Sequence, residues 1–151
     1  MDGSIGTLRS SARWRHSVLL AALLATVGCT SSKPPAAQLT ALEGQGRSLF
    51  VDHCALCHGD DARGDGALLG LMTPAADLTR IAARRGGEFP SGEIARFIDG
   101  RMPVDEHRSP EMPVWGRVMS SEFAADPGVR EEVTRGKISA LVWYLRSIQV
   151  E

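Results

Sequence analysis

Aromatic side chains are scarce in this chain of 151 residues: three Trp, four Phe and one Tyr, or 5% of the sequence. A small domain offsets its chain entropy by burying apolar surface, and aromatic rings are the densest source of it. The side chains alone therefore fall short of a core. Charge of one sign is not in excess either, since 17 Lys and Arg face 18 Asp and Glu. That balance excludes the basic surplus with which proteins grip nucleic acid, and the acidic surplus of a disordered tail. Lysine is almost missing, with Lys33 and Lys137 alone. No Ser/His/Asp or Cys/His arrangement suggests hydrolysis, and no phosphate-binding Gly-rich motif followed by Lys occurs. No apolar run reaches the ~20 residues that span a bilayer. Cysteine is reduced to Cys29, Cys54 and Cys57.

What is present begins with a targeting pattern. Arg9, Arg13 and Arg15 precede an uncharged apolar run from Val18 to Val27, and small Gly28 follows. A positive start, a short apolar stretch and a small residue at the break describe a secretory signal peptide over residues 1–28. The Gly28-Cys29 junction resembles a bacterial lipoprotein signal, with Thr26 standing where an aliphatic residue is usual. Cys29 is then expected as the first mature residue, carrying lipid; cleavage that leaves a plain thiol is the alternative. Residues 29–38, with Thr30-Ser31-Ser32-Lys33-Pro34-Pro35, read as a flexible tether too poor in apolar residues to pack. Without residues 1–28 the chain is mildly acidic, 14 basic residues against 17 acidic ones.

Cys54-Ala55-Leu56-Cys57-His58 carries the chemistry. It is the C-x-x-C-H attachment site of a c-type haem. Two thiols one helical turn apart add to the two vinyl groups of one porphyrin, and the adjacent His turns its imidazole to the iron. A disulfide oxidoreductase also uses C-x-x-C, but in a βαβ context that is not seen around these residues. A zinc site needs about four ligands, and there is no second pair. A structural disulfide leaves the His unexplained.

Around this motif the chain resembles a class I c-type cytochrome domain, from about Leu39 to Ile148. The resemblance is carried by Gly46-Arg47-Ser48-Leu49-Phe50, the Cys54–Gly59 segment, Gly64-Asp65-Gly66 and Pro74 through Asp77-Leu78-Thr79. It continues in Ile98-Asp99-Gly100-Arg101, Met112-Pro113-Val114-Trp115-Gly116, and a last helix with Leu141, Tyr144 and Leu145. It implies an all-α fold over residues 39–151, three to four helices around one covalently bound haem c. It also implies that the first and last helices cross, Gly46 allowing close approach and Phe50 meeting Leu141 and Tyr144.

The residues read for themselves agree on helices. Thr40-Ala41-Leu42-Glu43 has the form of a capping box. Gly46 and Phe50, four apart, share one helix face. Ile138, Leu141, Val142, Leu145 and Ile148 recur at the helical period. Glu93–Phe97 reads as a short middle helix with Ser91 as its cap. The Gly-rich stretch from Gly59 to Gly70 suits backbone of positive φ passing close to a flat ligand. Asp60, Asp61 and Asp65 lack calcium-loop spacing and read as solvated carboxylates.

His58 is the expected proximal ligand. By the resemblance, Pro74 supplies the carbonyl that accepts from His58 Nδ1, fixing the ring. For the sixth ligand, Met72 stands too near the proximal side and Met119 reads as core. Met112-Pro113-Val114-Trp115 resembles a subgroup of the family in which a longer, His-containing segment, here with His107, precedes the ligand, and that resemblance implies Met112 as the thioether; Met102 is the alternative, and His107 the bis-His one. Iron with both axial positions filled has no open place for substrate, so the chain is expected to be a one-electron carrier and not an enzyme. The expected setting is the periplasmic side of a bacterial membrane, with redox proteins as donor and acceptor. A dedicated subunit of an oxidase or dehydrogenase complex stays open, as does a haem-based sensor if the Met bond is labile. Arg84 with Arg85, or Arg101 with Arg108, are candidate docking charges, each otherwise a solvated face.

Overall fold

Pro35 sets the first helix boundary, with φ −56° and ψ 145° ahead of two alanines. Extended Pro followed by Ala is a ready helix start, because the first amides need no intrahelical partner. The computed structural model describes residues 35–68, 70–102, 111–122 and 126–151. Residues 1–34, with the expected signal peptide and Cys29, lie outside the described residues, as do His107 and Arg108. Helix α1 runs Ala36–His53, so it begins within the expected tether, and the capping box is corrected. Thr40 sits inside the helix, its hydroxyl donating to the Ala36 carbonyl one turn back at 3.2 Å.

The backbone bends at Cys54 (φ −118°) and resumes as the single turn α2, Ala55–His58. Two short 3-10 turns follow, Leu78–Arg80 and Ala83–Arg85. Helix α3 spans Ser91–Asp99 after Pro90. Ser91 is its first residue and caps nothing, a second correction: no side chain bonds the orphan amides there. Gly100, at φ 63°, ends it in the left-handed conformation that glycine adopts without penalty. Helix α4 is Trp115–Ser121 and helix α5 is Pro127–Ser147. Asp126 caps α5 by accepting from Gly128 N–H at 2.8 Å, with Pro127 in the first turn where its missing amide costs nothing.

Among the described residues there are helices and no strands, an all-α architecture. No described helix is long and apolar enough to cross a membrane. The most extensive helix pairing is α1 on α5. Phe50 is fully buried, with its ring centroid 5.3 Å from that of Tyr144 in a tilted pair. Leu141, Leu145, Ile138 and Ile98 complete this core, with Met119 of α4 fully enclosed.

Gly46 is what lets α1 and α5 meet. A methyl group there would run into the Ala140 carbonyl and come within 2.8 Å of Tyr144 Cβ. The colliding atoms are backbone or near it, so they cannot swing aside. Overpacking of this kind costs about 1–3 kcal/mol, more than the ~1 kcal/mol that Gly to Ala gains in helix propensity. Gly44, on the same helix, has nothing within 4 Å. Gly46→Ala is therefore expected to lower stability by about 1–2 kcal/mol, and Gly44→Ala to raise it by up to about 1 kcal/mol. Denaturant titration of the two variants reads the opposite signs. Equal effects would mean that α1 does not pack at Gly46.

Candidate functional site

Cys54, Cys57 and His58 share one turn of backbone. Cys57 N–H and His58 N–H both donate to the Cys54 carbonyl, at 3.1 and 2.9 Å. The two thiols are unpaired. Cys54 packs against the core, and burial pushes its thiol up to about 12, the Cys57 thiol adding a smaller push. A disulfide-exchanging or nucleophilic cysteine is tuned the opposite way, toward thiolate. The turn thus sets two thiols and an imidazole with one free nitrogen side by side.

That nitrogen is Nε2, because His58 Nδ1 lies 2.9 Å from the Ala76 carbonyl oxygen. The expected acceptor was Pro74, so the residue is corrected by two positions. The reason is the way residues 75–79 are pinned. Leu78 N–H donates to the Ala62 carbonyl at 2.7 Å. Gly64, at φ 84°, lies so close that a Cβ there would strike the Ala75 carbonyl. Asp77 Oδ1 accepts from the Thr79 amide and hydroxyl at 2.9 and 2.6 Å. These Thr79 bonds hold the Asp77 carboxyl below the usual carboxylate range. Register fixed at Asp77 and Leu78 brings Ala76, and not Pro74, opposite the ring.

The far end of the chain tightens the same support. Gln149 Nε2 donates to the Leu78 carbonyl at 2.8 Å, and its Oε1 accepts from Ala82 N–H at 2.9 Å. Val150 N–H donates to the Thr79 carbonyl at 2.9 Å. Nothing in the sequence marks Gln149, since one polar residue after a helix has no local signature.

The four candidate methionines occupy different surroundings. Met119 is 0% exposed and belongs to the core, as expected. Met72 is 92% and Met102 is 71% exposed. Met112 is half-buried against the core, on whose margin Cys54, Leu49, Leu78, Ile94 and Trp115 also pack. Met102 instead borders a cavity of about 580 Å³ between α3 and α5 whose lining includes none of Cys54, Cys57 and His58.

An ion cluster braces the helix after Met112. Arg101 Nε and Nη2 donate to the two oxygens of Asp99 at 2.6 and 2.7 Å, and Nη1 donates to Glu131 Oε2 at 2.6 Å. Gly116 seats directly on it: an added Cβ would lie 2.6 Å from Arg101 Nε and 2.9 Å from Asp99 Cγ. The Trp115 ring also meets His53 in a tilted pair, with ring centroids 5.3 Å apart. Arg101 is thus engaged by Asp99 and Glu131, Arg85 pairs with Glu93 at the surface, and Arg84 donates to the Asp77 carbonyl at 2.8 Å.

The Asp99 carboxyl is held below its usual range, first by the Arg101 hydrogen bonds. A carboxylate with a lowered folded pKa gives its full contribution above the ordinary value of ~3.9, and loses it as pH falls through the lowered one. Asp99→Asn is expected to cost about 1–2 kcal/mol at neutral pH, between an exposed pair and a buried one. Its stability should then fall less steeply than the parent's in acid. Denaturation midpoints from pH 7 down to acid check both, and parallel curves would deny the pair its role.

Among the described residues no group of three or more His, Cys, Asp or Glu is placed to hold a metal ion. No family model, curated protein or solved structure matches this chain.

Proposed function

We propose that this chain is a monohaem c-type cytochrome of the class I fold. Haem c would be held covalently by Cys54 and Cys57, with His58 and Met112 as axial ligands. The observation that carries this reading is the Cys54–His58 turn with His58 Nδ1 engaged by Ala76, which leaves Nε2 as the imidazole's free donor atom. A ring-orienting carbonyl of this kind raises ligand basicity and fixes the tautomer. The partial burial of Met112 against the same core supports it over the exposed Met102.

Bound haem supplies reversible one-electron chemistry at iron, tuned by its axial ligands. The chain's own residues then have separate tasks. Cys54 and Cys57 tether, His58 is held in place, and the apolar margin of Leu49, Leu78, Ile94 and Trp115 keeps water from the site. With His58 and Met112 both holding the haem, its one-electron chemistry would serve single-electron carriage between redox proteins. A lipid on Cys29 would confine this traffic to the periplasmic face of a bacterial membrane. Co-expression with a haem-attachment system, followed by spectra of reduced and oxidised protein, tests the reading. Sharp reduced bands that survive denaturation support it. Purified protein with no haem under those conditions overturns it.

A further inference from the structure

We infer that Glu111 is a positioning residue for Met112, its carboxylate fastening the segment that bears the thioether to the loop that runs on to Ala76. This rests on the His58–Met112 haem reading above. Glu111 Oε1 accepts from Met72 N–H at 2.6 Å, and Oε2 accepts from Thr73 N–H at 3.2 Å. Both oxygens of one carboxylate are thus spent on successive backbone amides, across 39 residues of sequence. Hydrogen bonds to a charged acceptor are the stronger kind.

The loop needs this hold. Met72, Thr73 and Pro74 are all exposed, so no buried side chain among these residues secures it. Three residues further on, the same chain supplies the Ala76 carbonyl that orients His58. One side chain therefore joins the supports of both expected axial ligands. The other side of Met112 is anchored independently, where Gly116 seats on Asp99 and Arg101. Loss of the two Glu111 bonds to Met72 and Thr73 loosens one end of a short segment while the other stays packed. The consequence is a thioether that leaves iron more readily, without unfolding of the domain.

The test uses the full haem-loaded chain and its E111A and E111Q variants. Carbon monoxide binding to the ferrous protein reads how often the sixth ligand departs, and the weak far-red band of the ferric protein reads the bond itself. E111A is expected to bind carbon monoxide about tenfold faster than the parent. It should also lose the far-red band at a lower temperature, with haem content and helix signal unchanged. E111Q keeps the size and one acceptor oxygen but not the charge, and should show a smaller change in the same direction. It carries the test if E111A loads haem poorly. Parent rates and band stability in both variants overturn the positioning role. If Met112→Ala meanwhile abolishes the band, the haem reading survives that result; a parent lacking haem or the band sinks both.

Discussion

Replacing both Cys54 and Cys57 with Ala is expected to yield a chain without covalent haem that has lost more than half of its helix signal. The core of side chains is small. The buried hydrophobic residues are Phe50, Ile81, Ile98, Met119, Ile138, Leu141, Val142, Tyr144, Leu145 and four alanines. Phe50 and Tyr144 are the only buried rings among the described residues. Helices α2, α3 and α4 are short enough to be marginal alone, and even the longer α1 and α5 draw most of their stability from packing. A porphyrin is a large apolar body, and the partly exposed Leu49, Leu78, Ile94 and Trp115 on the core margin are the surface it would cover. Loss of each sulfur costs about 0.5–3 kcal/mol, as most point changes do, so the two together cost about 1–6 kcal/mol. Domains hold about 5–15 kcal/mol, so unfolding of the variant would report the missing group more than the missing sulfurs. Circular dichroism and thermal melting read the result. A helical apo-protein with a sharp, cooperative melt would show that the side chains suffice.

The second large effect concerns Met112. Met112→Ala is expected to abolish the far-red band of the ferric protein and lower the reduction potential by roughly 0.2 V, within the ~0.8 V range that axial ligands command. The direction follows from softness, since thioether sulfur favours ferrous iron and its loss favours ferric. Met102→Ala is expected to change neither, because that side chain is 71% exposed and borders a different cavity. A potentiometric titration of both variants separates the two residues. Loss of the band in Met102→Ala alone would reverse the assignment.

What was legible in the sequence follows from how local each feature is. The last helix could be read because Ile138, Leu141, Val142 and Leu145 repeat at the helical period and all are buried. Gly46 and Phe50 were legible as one face for the same reason. The start of α1 was misread because Thr40 and Glu43 imitate a cap, while Pro35 and two alanines actually begin the helix. The same competition occurred at Ser91, where Pro90 took the boundary. Pro74 was placed by analogy in a loop whose register depends on contacts far away in sequence. Ala62, Gly64 and Gln149 decide that register, and none of them announces a partner. The Arg101 cluster was hidden in the same way. Asp99 and Arg101 are neighbours in sequence, but Glu131 and Gly116 reach them only through the fold.

The central claim is that Cys54 and Cys57 hold one haem. The most direct measurement is the intact mass of the purified chain after denaturation and acid extraction, with alkylation of any free thiols. The expected mass is heavier by one haem, with neither Cys54 nor Cys57 open to alkylation. A haem-free mass, with both cysteines alkylated in protein made alongside a working attachment system, would contradict it.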